Sequence, residues 1–325
     1  MTISTQPHFF SGAASTLYAF VESKRLDGYK YNSEVKELQR FDRFIQSLEA
    51  SGLSVTEELL YKWLAKRPNE SVSTFYHRNC VYRQFHAFAE KRGISFPIPP
   101  FIPKTHHDSG FTPYIFSHDE IRRIFEAIDT DNHINPAFRR CAPLLFRLLY
   151  GTGIRQNEAL SLQVSDIILT QQLIVIRDGK HLNSRLTPMS VTLQNRVEQY
   201  LRTNRYAENE PVFQSRTKRP LRKNAVYDWF RYVLWKAGIP HHGRGKGPRL
   251  HDLRHTFAVH SLQNAVKNGR DVQAFLPFLS AYLGHQDIRA TERYLRLTAE
   301  AYPEMLEALN QANAAIIPEV SDYED

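Results

Sequence analysis

Residues 12–95 carry apolar side chains at the three- and four-residue spacing of amphipathic helices. The pattern runs through Ser33–Leu48, where basic residues stand between the apolar ones, and it returns in Thr74–Arg92. Because such spacing places the apolar side chains on one face of a helix, it predicts helices that pack around a shared core. We therefore expect a small helical bundle with a basic outer face.

A proline-rich stretch follows this helical segment, with five prolines between Pro97 and Pro113. Proline has no backbone N–H to donate and a fixed φ, so this density prevents helix formation and favours an extended linker. The stretch therefore predicts a domain boundary. The expected segments are a helical domain over 1–105, a linker over 106–112, a second domain over 113–297 and an acidic C-terminal helix or tail over 298–325.

The second domain opens with its own helix signals. Ser117 followed by Glu120 is typical of a capping box, in which each side chain accepts from the other residue's backbone N–H. An apolar periodic run then predicts a strong helix over Pro136–Tyr150, ended by Gly151-Thr-Gly153. Further helices are predicted at about residues 190–204, 223–237, 251–266, 271–283 and 299–315.

One β element interrupts the helices of the second domain. Gln172–Ile176 and Leu186–Met189 flank Asp178-Gly179, which is a turn signal. This arrangement predicts a β-hairpin whose connection is longer than two residues. The fold class expected for the whole chain is mainly α with a small β-hairpin or sheet element, as a helical domain followed by a mixed α/β domain.

The composition fits an ordinary soluble protein. The chain has 325 residues, 42% of them hydrophobic and 23% charged, which is enough apolar material for two buried cores. No apolar run approaches the ~20 residues that span a bilayer, and the N-terminus lacks the pattern of a signal peptide. Cys80 and Cys141 lie far apart and are expected to be buried thiols in a reducing compartment. We expect a cytoplasmic protein, associated with the nucleoid if the host is prokaryotic, with no membrane partner.

Positive charge is concentrated in one part of the sequence. The formal net charge is +8, and Ser215–Arg254 contains eleven Lys and Arg residues against two acidic ones, whereas residues 297–325 contain seven acidic residues and no basic one. Such a basic stretch attracts a polyanion, and duplex DNA carries a charge every ~1.7 Å. A solvated basic face is the alternative interpretation. The candidate DNA-contacting residues are Arg216, Lys218, Arg219, Arg222, Lys223, Arg244, Lys246 and Arg249.

The first candidate for chemistry is Arg155, which follows the turn Gly151-Thr-Gly153. A tight glycine turn that leads into a helix places Arg155 near the helix start, where backbone N–H groups favour a bound anion. Glu158 lies three residues further on the same face and can hold the guanidinium in place. Taken alone, the two residues are more typical of an ordinary surface ion pair.

Two further motifs follow. His251 and Arg254 are three residues apart, so one helical face presents an imidazole and a planar fork of donors suited to phosphate oxygens. His285 follows Leu283-Gly284, and Tyr294 lies nine residues later. In isolation each motif has a plain structural interpretation, because histidines occur at helix N-termini and most of the sixteen tyrosines are expected to be packing residues.

In this order the three motifs resemble the tyrosine recombinase family, also called phage-type integrases. The resemblance covers about residues 112–297, and the helical segment before it is similar in position and size to the family's core-binding domain. Gly179-Lys180, with Arg185 and Pro188 following, is similar to the family's hairpin lysine. The resemblance implies a catalytic set of Arg155, Lys180, His251, Arg254, His285 and Tyr294, with Glu158 in support.

The resemblance implies site-specific recombination, in which DNA strands are cut and rejoined through a 3′-phosphotyrosine intermediate. Tyr294 is the implied nucleophile, and a phenol with a free pKa of ~10 needs its proton removed or its anion stabilised. Arg155 and Arg254 meet the negative charge that builds on the phosphate oxygens. In the family the hairpin lysine, here Lys180, protonates the departing 5′ oxygen.

By the same resemblance, His251 assists proton transfer at the nucleophile and His285 hydrogen-bonds a non-bridging phosphate oxygen. No metal, ATP or other cofactor is expected, because the phosphotyrosine bond conserves the energy of the broken phosphodiester. The expected partners are a double-stranded DNA recombination site and further copies of the chain in a tetrameric synapse, with accessory DNA-bending proteins as additional candidates. In related recombinases the final helix docks onto a neighbouring subunit. Here that exchange and packing onto the chain's own domain are equal alternatives.

The spacing from His251 to His285 departs from the family's compact members. It spans 34 residues, and the excess lies around Asn264–Pro277. We expect a longer connection between two helices there, which leaves the site intact.

Three other functions compete with recombination. A metal-dependent phosphohydrolase would take ligands from His106-His107-Asp108, His241-His242 and His251-Asp252, but no carboxylate set is spaced to complete such a site. A type IB topoisomerase shares the chemistry and relaxes DNA as a monomer. A DNA-binding protein that kept the fold and lost catalysis is disfavoured, because every expected polar position is occupied.

Overall fold

The computed structural model describes residues 7–102, 112–132, 135–177, 184–243, 247–285 and 287–301. The chain divides into two compact units, with the boundary between residues 110 and 111. We call the described residues before this boundary the N-terminal unit and those after it the C-terminal unit. Each unit has its own buried hydrophobic core.

The N-terminal unit is helical over its described residues. Its helices are α1 (Ala14–Leu26), α2 (Asn32–Glu49), α3 (Glu57–Leu64) and α4 (Val72–Glu90). The two longest, α2 and α4, cover the two periodic runs predicted from the sequence. Their apolar faces meet α1 in one core, whose almost fully buried members include Leu17, Phe20, Leu38, Phe41 and Phe85.

The described part of the C-terminal unit contains eight further helices. They are α5 (His118–Asp129), α6 (Pro136–Thr152), α7 (Gln156–Ser161), α8 (Val191–Asn204), α9 (Lys223–Lys236), α10 (Asp252–Lys267), α11 (Val272–Leu283) and α12 (Arg289–Ala301). Helices α6, α11 and α12 all pack against α10. Leu253 of α10 belongs to the main core of the unit, whereas Ala258 and Leu262 belong to a second cluster with α11 and α12. Helix α10 therefore joins the two buried clusters.

A small antiparallel sheet lies between α7 and α8 in the sequence. Its strands β1 (Ile167–Ile168), β2 (Leu173–Ile176) and β3 (Arg185–Pro188) are hydrogen-bonded in chain order. In the register, Ile176 stands opposite Arg185 and Leu173 opposite Pro188. The predicted hairpin is thus present as β2 and β3, and β1 was not predicted. The mainly α fold class with a small sheet is confirmed; the turn at Asp178-Gly179 lies outside the described residues.

The helix signals of the sequence are largely confirmed. The Ser117 hydroxyl accepts from the Glu120 backbone N–H at 3.1 Å, and Glu120 accepts from the Ser117 N–H at 2.8 Å, which completes the capping box. Helix α6 begins at Pro136 as predicted and continues to Thr152, where Gly153 ends it with φ +60°. None of the helices in the described part of the chain is long and apolar enough to cross a membrane.

Two helix predictions need correction. The connection expected to be long around Asn264–Pro277 is only four residues, 268–271, because α10 continues to Lys267 and α11 begins at Val272 with Pro277 inside it. Helix α12, which carries Tyr294, was not predicted, and the helix expected at 299–315 lies mostly outside the described residues.

Candidate active site

A glycine turn places Arg155 at the start of α7. Gly153 has φ +60°, and a Cβ at this position would lie 2.5 Å from Cδ1 of Phe257, so only glycine fits here without displacing the ring. Arg155 follows in extended conformation as the residue before α7. Its side chain remains 40% exposed, which leaves the guanidinium accessible to an anion from outside.

Glu158 holds Arg155 in place, as its position in the sequence predicted. Its carboxylate accepts from the Arg155 backbone N–H at 2.8 Å and from the guanidinium at 3.0 Å. It also receives a bidentate pair of hydrogen bonds from Arg185 of β3, at 3.0 and 2.7 Å. Burial opposes ionisation of this carboxyl, but the bonds from Arg185 and Arg155 outweigh it and lower its pKa to about 2. Glu158 is therefore a fixed anion between two arginines.

Arg185 also ties the sheet to the turn that carries His285. Its Nε donates to the Tyr282 carbonyl at 3.1 Å, and Nη2 of Arg155 donates to the Gly284 carbonyl at 3.3 Å. Gly284 has φ +67°, and a Cβ there would lie 2.9 Å from Nη1 of Arg185. The glycine of the Leu283-Gly284-His285 motif is thus required by backbone conformation and by the close approach of Arg185.

Arg254 is held more rigidly than Arg155. Only 2% of it is exposed, and its guanidinium donates to the carbonyls of Gly153 and Leu283, each at 2.7 Å. Burial, and then the charge of Arg155, lower the pKa of Arg254 to about 10, so the group stays protonated at neutral pH. Its two carbonyl partners belong to the turns that precede Arg155 and His285, which brings all three motifs of the sequence together.

Tyr294 points into this cluster from α12 and is only 3% exposed. Its hydroxyl lies 3.0 Å from Nδ1 of His255, and the positive charge of Arg254 acts on the phenol. Burial raises the pKa of Tyr294, while Arg254 and Arg155 act in the opposite direction because they stabilise the phenolate. The tyrosine and the two arginines thus meet within one chain.

His251 and His285 lie on either side of Tyr294 and His255. The ring of His251 packs edge-on against His255, with 4.8 Å between ring centroids. His285 stacks on Tyr294 at 6.0 Å, and its Nδ1 lies 2.7 Å from the Thr291 hydroxyl. Loss of hydration within the cluster, followed by repulsion from Arg254 and Arg155, lowers the pKa of both His251 and His285 to about 4.

Sequence reasoning missed two residues of this cluster, His255 and Arg185. His255 had a readable signal, since it is four residues after His251 and so lies on the same helical face. Arg185 was named only as part of the hairpin motif, and its bond to Glu158 had no signal, because the two residues are 27 apart in the sequence. Lys180, the sixth residue of the predicted set, lies outside the described residues.

The predicted DNA-contacting residues are mostly exposed. Five of them lie on the surface between Gln214 and the first turn of α9, namely Arg216, Lys218, Arg219, Arg222 and Lys223. Lys218 has φ +57° and pairs with Glu210 at 2.7 Å. Arg249 is half-buried and lies 3.5 Å from Asp252, while Arg244 and Lys246 are outside the described residues.

No candidate metal site occurs in the described ranges. Nowhere in them do three or more His, Cys, Asp or Glu side chains come close enough together to hold an ion. Of the ligand sets considered from the sequence, His106-His107-Asp108 lies outside these ranges. His241-His242 and His251-Asp252 do not form such a group.

A phenol buried among guanidinium and imidazole groups, on a mainly helical fold, is the arrangement that the resemblance to tyrosine recombinases predicted. The sequence profile of the Phage integrase family matches residues 115–301, more than half of the chain. The chain belongs to this family, whose members are the tyrosine recombinases. The family and the class of enzyme predicted from the three motifs are therefore confirmed.

Known proteins resemble this chain along most of its length. A putative integrase/recombinase of Sinorhizobium fredii is 28% identical over 309 residues, which cover 90% of this chain and 95% of the relative. The tyrosine recombinase XerA of Thermococcus onnurineus is 30% identical over 204 residues, 62% of each chain.

Two solved structures share the fold. One is the XerH site-specific recombinase bound to a palindromic difH substrate, in a post-cleavage complex. It has a TM-score of 0.63 at 19% identity and covers 86% of this chain and 79% of that one. The other is the Tn1549 transposon integrase in complex with transposon right end DNA, with a TM-score of 0.60 at 16% identity, covering 90% and 99%.

Proposed function

We propose that this chain is a site-specific DNA recombinase in which Tyr294 attacks a DNA phosphate and forms a 3′-phosphotyrosine intermediate. The observation that carries the proposal is the position of the Tyr294 hydroxyl, buried beside Arg254 and 3.0 Å from His255. A tyrosine that only filled a core would not need two cations in its surroundings. Here the cations lower the cost of the phenolate and can also bind the phosphate that the phenolate attacks.

Arg155 and Arg254 stabilise the negative charge that develops on the non-bridging oxygens. Arg254 has two of its donors bound to carbonyls and is fixed before substrate arrives. Arg155 is fixed through Glu158 and keeps an exposed face. Fixed donors need no rearrangement in the transition state, which is why such groups contribute strongly to catalysis. His285, which is half-buried against Tyr294, adds a hydrogen bond to a non-bridging oxygen.

Lys180 is the general acid of this proposal and protonates the 5′ oxygen as it leaves. It follows β2 on the hairpin, and Arg185 of β3 binds Glu158, so the far strand of the hairpin is anchored to the arginine cluster. His251, which packs on His255, assists proton transfer on the nucleophile side. The strand is resealed when a 5′ hydroxyl attacks the phosphotyrosine in the reverse reaction.

In this proposal, basic side chains contact the phosphates of duplex DNA. They are the exposed residues Arg216, Lys218, Arg219, Arg222 and Lys223, together with Arg244, Lys246 and Arg249. The helical N-terminal unit is the second DNA-binding domain. A lambda integrase dimer bound to a core site is among the proteins with a similar fold. We extend that to this chain as a homo-oligomer on DNA, a tetramer when two sites are paired, with accessory DNA-bending proteins as further partners. Placement in the cytoplasm also stays a prediction.

The test is a covalent adduct between protein and DNA. Nicked duplexes with a randomised segment of about 30 base pairs, roughly three helical turns, are incubated with the full chain and EDTA. Denaturing gels then separate protein joined to DNA from free DNA, and sequencing of the joined strands identifies the preferred site. We expect an adduct with the wild-type protein and none with Tyr294→Phe. An adduct that survives in Tyr294→Phe would refute the assignment of the nucleophile.

Relaxation without recombination is the alternative function. A type IB topoisomerase would relax a supercoiled plasmid that carries one selected site and would leave a plasmid with two sites unrecombined. A recombinase exchanges strands between the two sites. The two plasmids, assayed side by side, distinguish the functions.

A further inference from the structure

The proton of Tyr294 has a specific acceptor in the structure. Arg254 and Arg155 are the cations whose charges act on the phenol, and a guanidinium carries only donors, so neither can accept the hydrogen of the hydroxyl. The hydroxyl's own hydrogen is then available for another acceptor. Nδ1 of His255 lies 3.0 Å away and serves as that acceptor when the ring carries its hydrogen on Nε2.

His255 differs from His251, to which the family resemblance gave the proton-transfer role. His251 packs edge-on against the His255 ring, with 4.8 Å between the centroids, and is exposed. His255 is half-buried, and its nitrogen contacts the reacting oxygen itself. The imidazole in direct contact with the hydroxyl is therefore the one that follows Arg254 in the sequence.

We propose that His255 is a further catalytic residue, whose Nδ1 holds the Tyr294 hydroxyl and takes its proton as the phenolic oxygen attacks phosphorus. This inference rests on the proposed function. The O–H bond of Tyr294 breaks and an N–H bond forms on His255, while the Tyr294 oxygen bonds to phosphorus and the bond from phosphorus to the 5′ oxygen breaks. The 5′ oxygen leaves with a proton from the general acid Lys180. Resealing reverses each transfer, and His255 returns the proton to the phenolic oxygen.

The arrival of DNA phosphate determines when His255 can accept the proton. Burial, and then the neighbouring His251, Arg249, Arg254 and Arg293, lower the pKa of His255 to about 3, so the free protein keeps the ring neutral. A bound phosphate adds negative charge among the same cations and stabilises an imidazolium. Proton transfer is thereby coupled to substrate binding, and the nucleophile remains a phenol until a phosphate is present.

The chain provides a matched control for this pair. His260, on the same helix α10, places its Nδ1 2.9 Å from the hydroxyl of Tyr150. The contact joins the same two atom types at nearly the same distance, but it lies outside the arginine cluster. A substitution of His260 therefore tests what loss of a buried histidine–tyrosine bond does to the fold alone.

The experiment measures single-turnover adduct formation by the full chain on a nicked duplex selected with the wild-type protein. The variants are His255→Ala, His255→Asn and the control His260→Asn. The Asn side chain accepts a hydrogen bond near the Nδ1 position but does not take up a proton. Because general acid–base catalysis contributes about 10²–10⁴-fold, we expect both His255 variants to form adduct at least about 100-fold more slowly. His260→Asn should form adduct at a rate within about threefold of wild type.

A second substrate locates the effect at the nucleophile. Replacing the bridging 5′ oxygen by sulfur gives a leaving group with a thiol pKa of ~8.5, which departs without a proton. Lys180→Ala should recover with this substrate, whereas the His255 variants should stay slow. Recovery of the His255 variants would place the residue on the leaving-group side and overturn the inference.

Other outcomes separate the two proposals. If His255→Asn cleaves as fast as wild type, His255 only holds the hydroxyl, and the proton-transfer role is wrong. If His255→Ala is misfolded by its melting curve, His255→Asn decides the question. If the wild-type protein forms no adduct with the randomised duplexes, the proposed function itself fails. A wild-type adduct with unaffected His255 variants refutes the inference alone.

Discussion

Helix α10 carries two histidine–tyrosine pairs, five residues apart, in contrasting surroundings. His255 lies 3.0 Å from the Tyr294 hydroxyl and His260 lies 2.9 Å from the Tyr150 hydroxyl. Tyr294 has Arg254 and Arg155 beside it, whereas His260 stacks on His118 with ring centroids 3.9 Å apart. The contact between imidazole and phenol is the same, so the contact does not define a nucleophile. In the function that we propose, the fixed cations around the phenol are what make Tyr294 the nucleophile.

The second pair also differs in what it faces. His260 and Tyr150 line a cavity of about 350 Å³ with His118 and Lys267. Burial is the main cause that lowers the pKa of His260 to about 4, with His118 acting in the same direction. In that cavity the histidine is a neutral, buried hydrogen-bonding partner. Two positions on one helix thus separate a structural use of this pair from the catalytic use that we propose.

The largest difference between the two pairs should appear when the tyrosine hydroxyl of each pair is removed in turn. Tyr294→Phe is expected to abolish the covalent adduct, because no other oxygen occupies that position between the arginines. Tyr150→Phe should retain adduct formation within about threefold of wild type and lose only the stability of one buried hydrogen bond, about 1 kcal/mol. Denaturing gels and urea unfolding measure the two quantities. Equal losses of adduct in both variants would erase the distinction between the pairs.

Removing one cation from each environment should have the next largest effect. Arg155→Ala is expected to slow adduct formation by about 10³-fold, since one fixed donor to a developing oxyanion contributes about 10²–10³-fold and Arg155 also stabilises the phenolate. DNA affinity should fall much less, because the exposed basic residues supply most phosphate contacts. Lys267→Ala, which removes the cation beside the second pair, is the control. Near-normal adduct formation by Arg155→Ala would show that this arginine is misassigned.

Two glycines with the same backbone conformation test the support of the cluster. Gly284 and Gly269 have φ +67° and +66°, so alanine costs about 1–2 kcal/mol of stability at either position. Only at Gly284 would the added Cβ also come close to Arg185. A displaced Arg185 should hold Glu158 and Arg155 less firmly, which should slow adduct formation about tenfold. Gly269→Ala, with nothing within 4 Å, should unfold at lower urea with unchanged chemistry. If the two variants cleave equally well, Arg185 does not support the site.

The smallest effect concerns stability in acid. The folded-state pKa of His260 is about 4, below the 6.5 of an unfolded chain, so between these values the unfolded state binds a proton that the folded state excludes. The free energy of unfolding must therefore fall as pH drops from about 6.5 to 4. His260→Asn should flatten this decline by on the order of 1–3 kcal/mol. Urea unfolding at several pH values measures the slope, and an unchanged slope in His260→Asn would contradict the assignment.

Local patterns predicted most of the helices. The signals for these helices are the periodic runs of α2, α4 and α6 and the capping box at Ser117. Each signal lies within a few helical turns of sequence, which is enough to specify an amphipathic helix. Strand β1 is only two residues long and gives no periodic signal. Helix α12 was missed because its inward residues, Thr291, Tyr294 and Leu297, form a short pattern that includes polar groups.

The candidate site was predictable in its members and much less in its connections. Order and spacing indicated Arg155, Arg254, His285 and Tyr294, and the structure brings them together. The bonds that fix them join distant residues, as when Arg254 binds the carbonyls of Gly153 and Leu283. Such contacts depend on tertiary packing and have no signature in a local window. These contacts hold the buried guanidinium of Arg254 in position before the substrate binds.

The hydroxyl of Tyr294 reaches the arginines of its own chain, and this has a consequence for mixed assemblies. One subunit can lack Arg155 while another lacks the Tyr294 hydroxyl. Each then has an incomplete active site, and neither subunit can supply the group that the other lacks. Co-assembled on one DNA site, the two defective proteins should therefore show no complementation. Mixed complexes that contain one intact subunit should cut only the DNA strand that this subunit occupies.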